Sequence, residues 1–130
     1  MTITRRPVLA GIALAMLGAA AIAKEGGAME EALYGLIGKM KAQPGKRADL
    51  IALLTQGTSD MPGCITYIVA EDAKDEDGIW ISEVWRTRKH HADSLKLPAV
   101  QDSIAKGRPL IASFENFVET RPVGGVGIDG

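Results

Sequence analysis

The sequence predicts a ferredoxin-like α+β fold, in which a β-α-β-β-α-β order forms a four-stranded antiparallel sheet with two helices on one face. Three observations carry this prediction: an adjacent pair of runs rich in β-branched and aromatic residues, a helical pattern on each side of that pair, and a further strand-like run at each end. The chain has 130 residues, 46% hydrophobic and 24% charged, as is typical of one folded domain. Its 15 Lys and Arg residues are balanced by 16 Asp and Glu residues, so we expect no nucleic-acid partner.

A turn separates the first strand from the first helix. The strand is predicted at 32–41, although Gly35 and Gly38 weaken its pattern. Residues 43–46 read Gln-Pro-Gly-Lys, which is typical of a turn. Leucines at helical spacing then predict an amphipathic helix over 48–57.

A hairpin, an interrupted helix and a last strand follow. Strands are predicted at 64–71 and 79–86, joined by an acidic turn that makes them a hairpin. Residues 87–104 have a helical pattern that Pro98 interrupts. Residues 111–120 form the last predicted strand.

Both faces of the predicted hairpin are apolar. Alternation along the second strand puts one group of side chains on one face, namely Ile79, Ile81, Glu83 and Trp85, and another group on the opposite face, namely Trp80, Ser82 and Val84. Two helices cover only one face of a sheet, so the second face needs another cover. A second copy of the chain would provide it as a symmetric dimer with face-to-face sheets, and long side chains and loops are the alternative.

Residues 1–23 are predicted to be an export signal. Arg5 and Arg6 precede an apolar run, and small residues end the segment at Ala23. The string around the two arginines resembles a twin-arginine signal, with an ordinary signal or an uncleaved anchor as alternatives. The apolar run is shorter than the roughly 20 residues that a spanning helix needs. We therefore expect a periplasmic or secreted protein with no stable membrane partner.

The rest of the chain divides into three parts. Residues 24–31 are a polar lead-in, residues 32–121 form the domain, and residues 122–130 are a flexible Gly-rich tail. The chain has one cysteine, Cys64, which excludes an internal disulfide.

Three short strings, in order, carry a family resemblance. They are Met61-Pro62-Gly63-Cys64 with Tyr67 after it, Glu83-Val84-Trp85, and His91 followed by Ser94. In this order and strand context, the sequence resembles the antibiotic biosynthesis monooxygenase family, which includes quinol monooxygenases, over about 33–123. The resemblance implies a dimeric α+β barrel of ferredoxin-like subunits. It also implies oxygenation of a small phenolic or quinol substrate by O2 without flavin, haem or metal.

The resemblance and the residue types together suggest a site. His91 is the candidate catalytic base, because an imidazole titrates near neutral pH, and Glu83 is the carboxylate that would orient it or raise its basicity. Trp85 and Tyr67 would line a pocket for an aromatic substrate, and Asn116 is a further polar candidate for substrate binding. Each residue also has a plainer interpretation: a structural histidine, a carboxylate paired with Arg or Lys, or a core aromatic.

Two other functions are compatible with the sequence. One is a non-catalytic dimeric protein that binds small aromatics, since the same pocket residues would serve it. The other is haem binding or degradation, for which only His90 and His91 offer an imidazole. Gly-rich phosphate loops are absent, so we expect no nucleotide cofactor.

Overall fold

A computed structural model describes residues 32–58 and 60–128. Its elements in chain order are β1 (Tyr34–Ala42), α1 (Arg47–Gln56), β2 (Cys64–Glu71), β3 (Gly78–Trp85), α2 (Arg88–Ser94), α3 (Pro98–Gly107), a 3-10 turn (Arg108–Leu110) and β4 (Ile111–Thr120). This order confirms the predicted ferredoxin-like α+β fold. The predicted export signal at 1–23 and the lead-in at 24–31 lie outside the described residues. None of the described helices is long and apolar enough to cross a membrane.

The four strands form one antiparallel sheet in the order β2-β3-β1-β4. Alternation turns one face of the sheet towards the helices. The core lies between them and consists of buried apolar side chains from both layers, chiefly Leu36, Met40, Leu50, Leu54, Ile79, Ile81, Trp85 and Val100. Since the sheet places β1 and β3 at its centre, side chains of these two strands are the most completely buried.

The second helical segment is broken as predicted, into α2 and α3. Pro98 occupies the first turn of α3, where a missing backbone N–H removes no helical hydrogen bond. The Thr87 side chain caps α2 by accepting a hydrogen bond from the backbone N–H of His90 at 3.1 Å. Residues 32–58 and 60–128 therefore contain three α-helices, and the short α2 follows β3 almost without a loop.

One of the two glycines that weakened the prediction of the first strand, Gly38, has a packing role. Gly38 lies on the buried face of β1, and a Cβ there would come within 2.3 Å of the Phe117 ring. The same part of β4 contains a register shift and Asn116 with a positive φ of 52°, a conformation that Asn tolerates better than most residues. Position 38 of β1 therefore requires a residue without a side chain, because the Phe117 ring of β4 occupies the space that a Cβ would need.

The face of the sheet away from the helices carries a row of exposed apolar side chains. Ile68, Ile37 and Val118 are 53%, 41% and 52% exposed. The strand register places Ile37 between Val118 on β4 and Ser82 on β3, with Ile68 opposite Ser82 on β2. The row thus contributes an apolar side chain from β2, β1 and β4, with Ser82 between them on β3. Part of the outer face of the sheet is therefore apolar, as predicted for the hairpin.

Charged side chains cover another part of that face. The Lys39 ammonium lies 3.3 Å from the Asp72 carboxylate and 3.1 Å from the Asp75 carboxylate. The Trp80 indole donates a hydrogen bond to Asp72 at 2.8 Å. Trp80 therefore belongs to a surface ion-pair network, whereas Trp85 is a core residue with 1% exposure.

Candidate active site

A histidine and a carboxyl group from two consecutive elements meet inside the protein. Alternation along β3 puts Glu83 on the buried face between Ile81 and Trp85, and α2 begins directly after the strand. The first turns of this helix carry His91 over the sheet, so that its Nε2 lies 3.9 Å from Oε1 of Glu83. Glu83 is 3% exposed and His91 is completely buried. The separation exceeds a hydrogen bond, so the two groups are close without being directly bonded.

The environment of Glu83 favours its neutral form. Burial raises the pKa of Glu83 from 4.5 to about 7, and the hydrogen bond that its Oε1 accepts from the Trp85 indole at 2.9 Å acts in the opposite direction. Within residues 32–58 and 60–128, no Lys or Arg nitrogen lies within 4.0 Å of this carboxyl group. Glu83 can therefore exchange a proton near neutral pH.

His91 is held by aromatic packing. Its ring centroid lies 5.3 Å from that of Tyr34 and 5.3 Å from that of Trp85, whose ring is edge-on. Neither imidazole nitrogen has a hydrogen-bond partner among the described residues. Burial lowers the pKa of His91 from 6.5 to about 4, so the imidazole is neutral at pH 7. Ser94 fixes the helix by donating a hydrogen bond to the His91 carbonyl at 2.6 Å.

Tyr67 joins this cluster and Asn116 does not. Tyr67 stands opposite Glu83 in the β2–β3 ladder, and its hydroxyl is buried with no hydrogen-bond partner in the described chain. Burial raises the pKa of Tyr67 well above its usual value, so the hydroxyl remains a donor. Asn116 is exposed on the edge strand β4, which β1 separates from β3. The sheet therefore does not bring Asn116 to the cluster, and its role in substrate binding stays a prediction.

Two residues that the sequence did not single out complete the cluster. Arg88 is 5% exposed, and its guanidinium carbon lies 5.2 Å from the centre of the Tyr34 ring. The Tyr34 hydroxyl donates a 2.5 Å hydrogen bond to Glu119 of β4. Arg88 precedes His91 by three residues, so helical spacing would have placed both side chains on one face of α2. Tyr34 gave no such local signal, since only strand pairing brings it beside Trp85.

A small cleft of about 190 Å³ lies beside α2. It is lined by Pro62, His90, Asp93, Ser94 and Leu97. The His90 ring packs against Gly63, whose φ of +83° and lack of a side chain allow this contact. Ser94 lies three residues after His91, so the cleft and the buried cluster are neighbours along α2.

The described residues contain no group of three or more His, Cys, Asp and Glu side chains placed to hold a metal ion. The polar atoms of the cluster instead suit an organic ligand: they comprise an imidazole, a carboxyl group, a phenol and a guanidinium. Aromatic rings form the remaining walls. Such an arrangement can accept a proton, donate a hydrogen bond and contact an aromatic ring.

The fold and this interior cluster define a small ferredoxin-like α+β domain with a polar site enclosed between its sheet and a helix. The chain belongs to the antibiotic biosynthesis monooxygenase family, whose model matches residues 33–106. This match confirms the resemblance seen in the sequence. Family membership supports a general monooxygenase-like role.

Individual proteins resemble this chain in sequence or in fold. A solved structure from Chloroflexus aurantiacus, described as a candidate antibiotic biosynthesis monooxygenase, is 60% identical, covers 75% of this chain and 99% of its own, and has a TM-score of 0.73. A second candidate of that kind, from Caulobacter crescentus, has a TM-score of 0.65 at 17% identity over 75% of this chain and 95% of its own, which shows the fold alone. An uncharacterized protein of Synechocystis sp. is 30% identical over 58% of this chain. The chain spans about half of that relative's length, 53%.

Proposed function

We propose that the protein is a cofactor-independent monooxygenase that oxidises a quinol or polyphenolic aromatic with O2 at the His91–Glu83 cluster. The observation that carries this proposal is a concentration of buried polar atoms without partners. Among the described residues these atoms are Tyr67 Oη, His91 Nδ1 and Nε2, and Arg88 Nε and Nη1. Buried polar groups in native proteins are nearly always hydrogen-bonded. Arg88 and His91 both contact the Tyr34 ring, and Tyr67 pairs with Glu83, so these unpartnered atoms support a polar ligand in this part of the interior.

The reaction needs only proton transfer and charge stabilisation from the protein. The substrate hydroxyl loses its proton, and the resulting phenolate gives one electron to O2. The aryloxyl radical and superoxide then combine to form a C–O bond. Cleavage of the O–O bond leaves one oxygen atom on the ring as a carbonyl and releases the other as water. One phenol and one O2 thus give one quinone and one water, with no external reductant.

The cluster supplies these functions in a dry interior. Neutral His91 accepts the proton, and Glu83 takes or returns it because its pKa of about 7 is close to ambient pH. The Tyr67 hydroxyl donates to the oxygen on which negative charge develops. Trp85 and Tyr34 hold the imidazole between them and exclude water.

Substrate access requires α2 to move, because His91 is completely buried. The cleft between Pro62 and α2 supports a route, since Ser94, which lines it, lies three residues from His91 on the same helix.

Oxygen uptake by the purified, metal-stripped protein tests the proposal. We expect a panel of quinols and polyphenols to include substrates whose O2 consumption exceeds their autoxidation, with the quinone product detected by its absorbance. Preparations free of flavin and haem absorbance serve as the control for adventitious cofactors. Uptake that never exceeds autoxidation across the panel would contradict the oxygenase.

The lowered pKa of His91, about 4, favours one second candidate, a protein that binds small aromatics without turning them over, because a weakly basic imidazole accepts a phenolic proton poorly. O2 consumption distinguishes the two functions. Saturable binding of a phenol with no O2 consumption would support the binding protein, and sustained turnover would exclude it.

We also infer that a second copy of the chain covers the exposed apolar row of the sheet. Ile37 lies at the centre of this row, so a carboxylate there would be buried without a partner in a face-to-face dimer. We expect the wild-type protein to have twice the subunit mass by light scattering, and Ile37→Glu to be a monomer. Ala105→Glu, which adds the same group to the exposed surface of α3, is the matched control. A wild-type monomer, or an Ile37→Glu dimer, would contradict this interface.

Export through the twin-arginine route is the remaining proposal, and it is supported by the sequence at 1–23 alone. We expect the full-length chain, expressed in a bacterium with that route, to accumulate in the periplasm with a mass that begins at Lys24. Arg5→Lys combined with Arg6→Lys should retain the precursor in the cytoplasm, because the translocon reads the arginine pair. Unchanged export of this double variant would indicate an ordinary signal, and an uncleaved chain in the membrane fraction would indicate an anchor.

A further inference from the structure

Arg88 is a buried cation without an anionic partner in the described chain. Its side chain is 5% exposed, and Nε and Nη1 are both inaccessible to water and without a hydrogen bond. A guanidinium remains charged at any physiological pH. Buried charges in proteins are normally paired, since desolvation is costly unless an opposite charge compensates for it.

The two carboxyl groups of this region have other partners. Oε1 of Glu83 accepts the Trp85 indole N–H, and Oε2 of Glu119 accepts the Tyr34 hydroxyl. No carboxylate of residues 32–58 and 60–128 lies within 4.0 Å of Arg88. Its contact with the Tyr34 ring at 5.2 Å is a cation–π interaction, which is weaker than a desolvated ion pair. The guanidinium therefore retains donors for an anion that comes from outside.

We propose that Arg88 binds a carboxylate on the aromatic substrate, so that the substrate class is a hydroxylated aromatic acid. This inference rests on the proposed function and adds the charge of its substrate. A carboxylate is ionised at neutral pH, whereas a phenol is not. A carboxylate can therefore form an ion pair with the guanidinium before the substrate hydroxyl loses its proton.

The spacing on α2 suits such a ligand. Arg88 and His91 are three residues apart on one face of the helix, and both contact the same Tyr34 ring, at 5.2 Å and 5.3 Å. A ring that lies along Tyr34 with its carboxylate at Arg88 therefore presents a hydroxyl to His91. Arg88 thus determines which end of the substrate faces the proton acceptor.

Calorimetric titration of the full chain without O2 tests this assignment. The probes are 2,5-dihydroxybenzoate and its methyl ester, which keep the same two hydroxyls and differ in the anionic charge. We expect the wild-type protein to bind the acid at least about tenfold more tightly than the ester, a modest figure for a desolvated charge pair. Arg88→Met should bind both alike, because it keeps the length of the side chain and removes the charge.

A thermal melt of Arg88→Met separates binding from a structural role. Removing an unpaired buried charge should leave the melting temperature unchanged or raise it. Equal wild-type affinities, no detectable binding of the acid, or a preference that survives in Arg88→Met would each overturn the proposal. The wild-type comparison of acid and ester needs no variant and stands even where Arg88→Met does not fold. The titration contains no O2, so a protein without oxygenase activity would still show the preference for the acid. Equal binding of the acid and the ester would overturn the role of Arg88 without excluding turnover of neutral quinols.

Discussion

Glu83→Gln is expected to stabilise the protein by about 3 kcal/mol at pH 8 and by less than about 1 kcal/mol at pH 5, following 1.36 kcal/mol for each pKa unit. The folded-state pKa of Glu83 is about 7, above its ordinary value of 4.5, so the folded protein holds this proton more tightly than the unfolded chain. The free energy of unfolding therefore falls as pH rises from 4.5 to 7 and is constant above that range. Glutamine has no charge to desolvate, and its oxygen can still accept the Trp85 hydrogen bond.

Denaturant unfolding of both proteins at the two pH values measures this effect. Glu76→Gln, at an exposed carboxyl group on the turn between β2 and β3, is the matched control and should show no comparable dependence on pH. A Glu83→Gln variant that is less stable than wild type at pH 8 would show that a positive charge compensates the carboxylate. We also expect slower O2 uptake in Glu83→Gln, so this substitution should raise stability and lower activity.

His91→Phe is expected to lower the rate of O2 uptake by a factor of about 10² to 10⁴, the usual contribution of a positioned acid or base. Phenylalanine keeps a ring between Tyr34 and Trp85 and removes both unpartnered nitrogens, so the fold should persist. Lys89→Ala, at an exposed residue of the same helix, should retain wild-type uptake. Full activity of His91→Phe would show that another group accepts the substrate proton.

His91→Phe also tests how stability depends on pH, and for His91 this dependence is opposite in direction to that of Glu83. The folded-state pKa of His91 is about 4, below its ordinary value of 6.5, so the folded protein resists protonation of the imidazole. Wild-type stability is therefore lost as pH falls from 6.5 through 4, and His91→Phe should lose less over that range. Unfolding midpoints at pH 4 and pH 7 provide the comparison. Equal losses in the two proteins would indicate that His91 is already paired in the folded state.

The sequence by itself determined the order of the elements and the direction of many side chains. Alternation along 79–86 placed Glu83 and Trp85 on one face, and Pro98 marked the break between two helices, because both signals depend only on neighbouring residues. The residue types of His91 and Glu83 also predicted a proton-exchanging pair, and that role stays a prediction.

Only the tertiary structure decided which polar groups lose their water. Tyr34 reaches His91 through the pairing of β1 with β3, and Arg88, in a run of basic residues, is buried because α2 packs against that same tyrosine. Asn116 lies away from the site because β4 is on the far side of β1. Desolvation depends on elements that are distant in sequence, and it is desolvation that moves the pKa values of Glu83 and His91. The same packing buries Arg88 where the described residues offer it no anion.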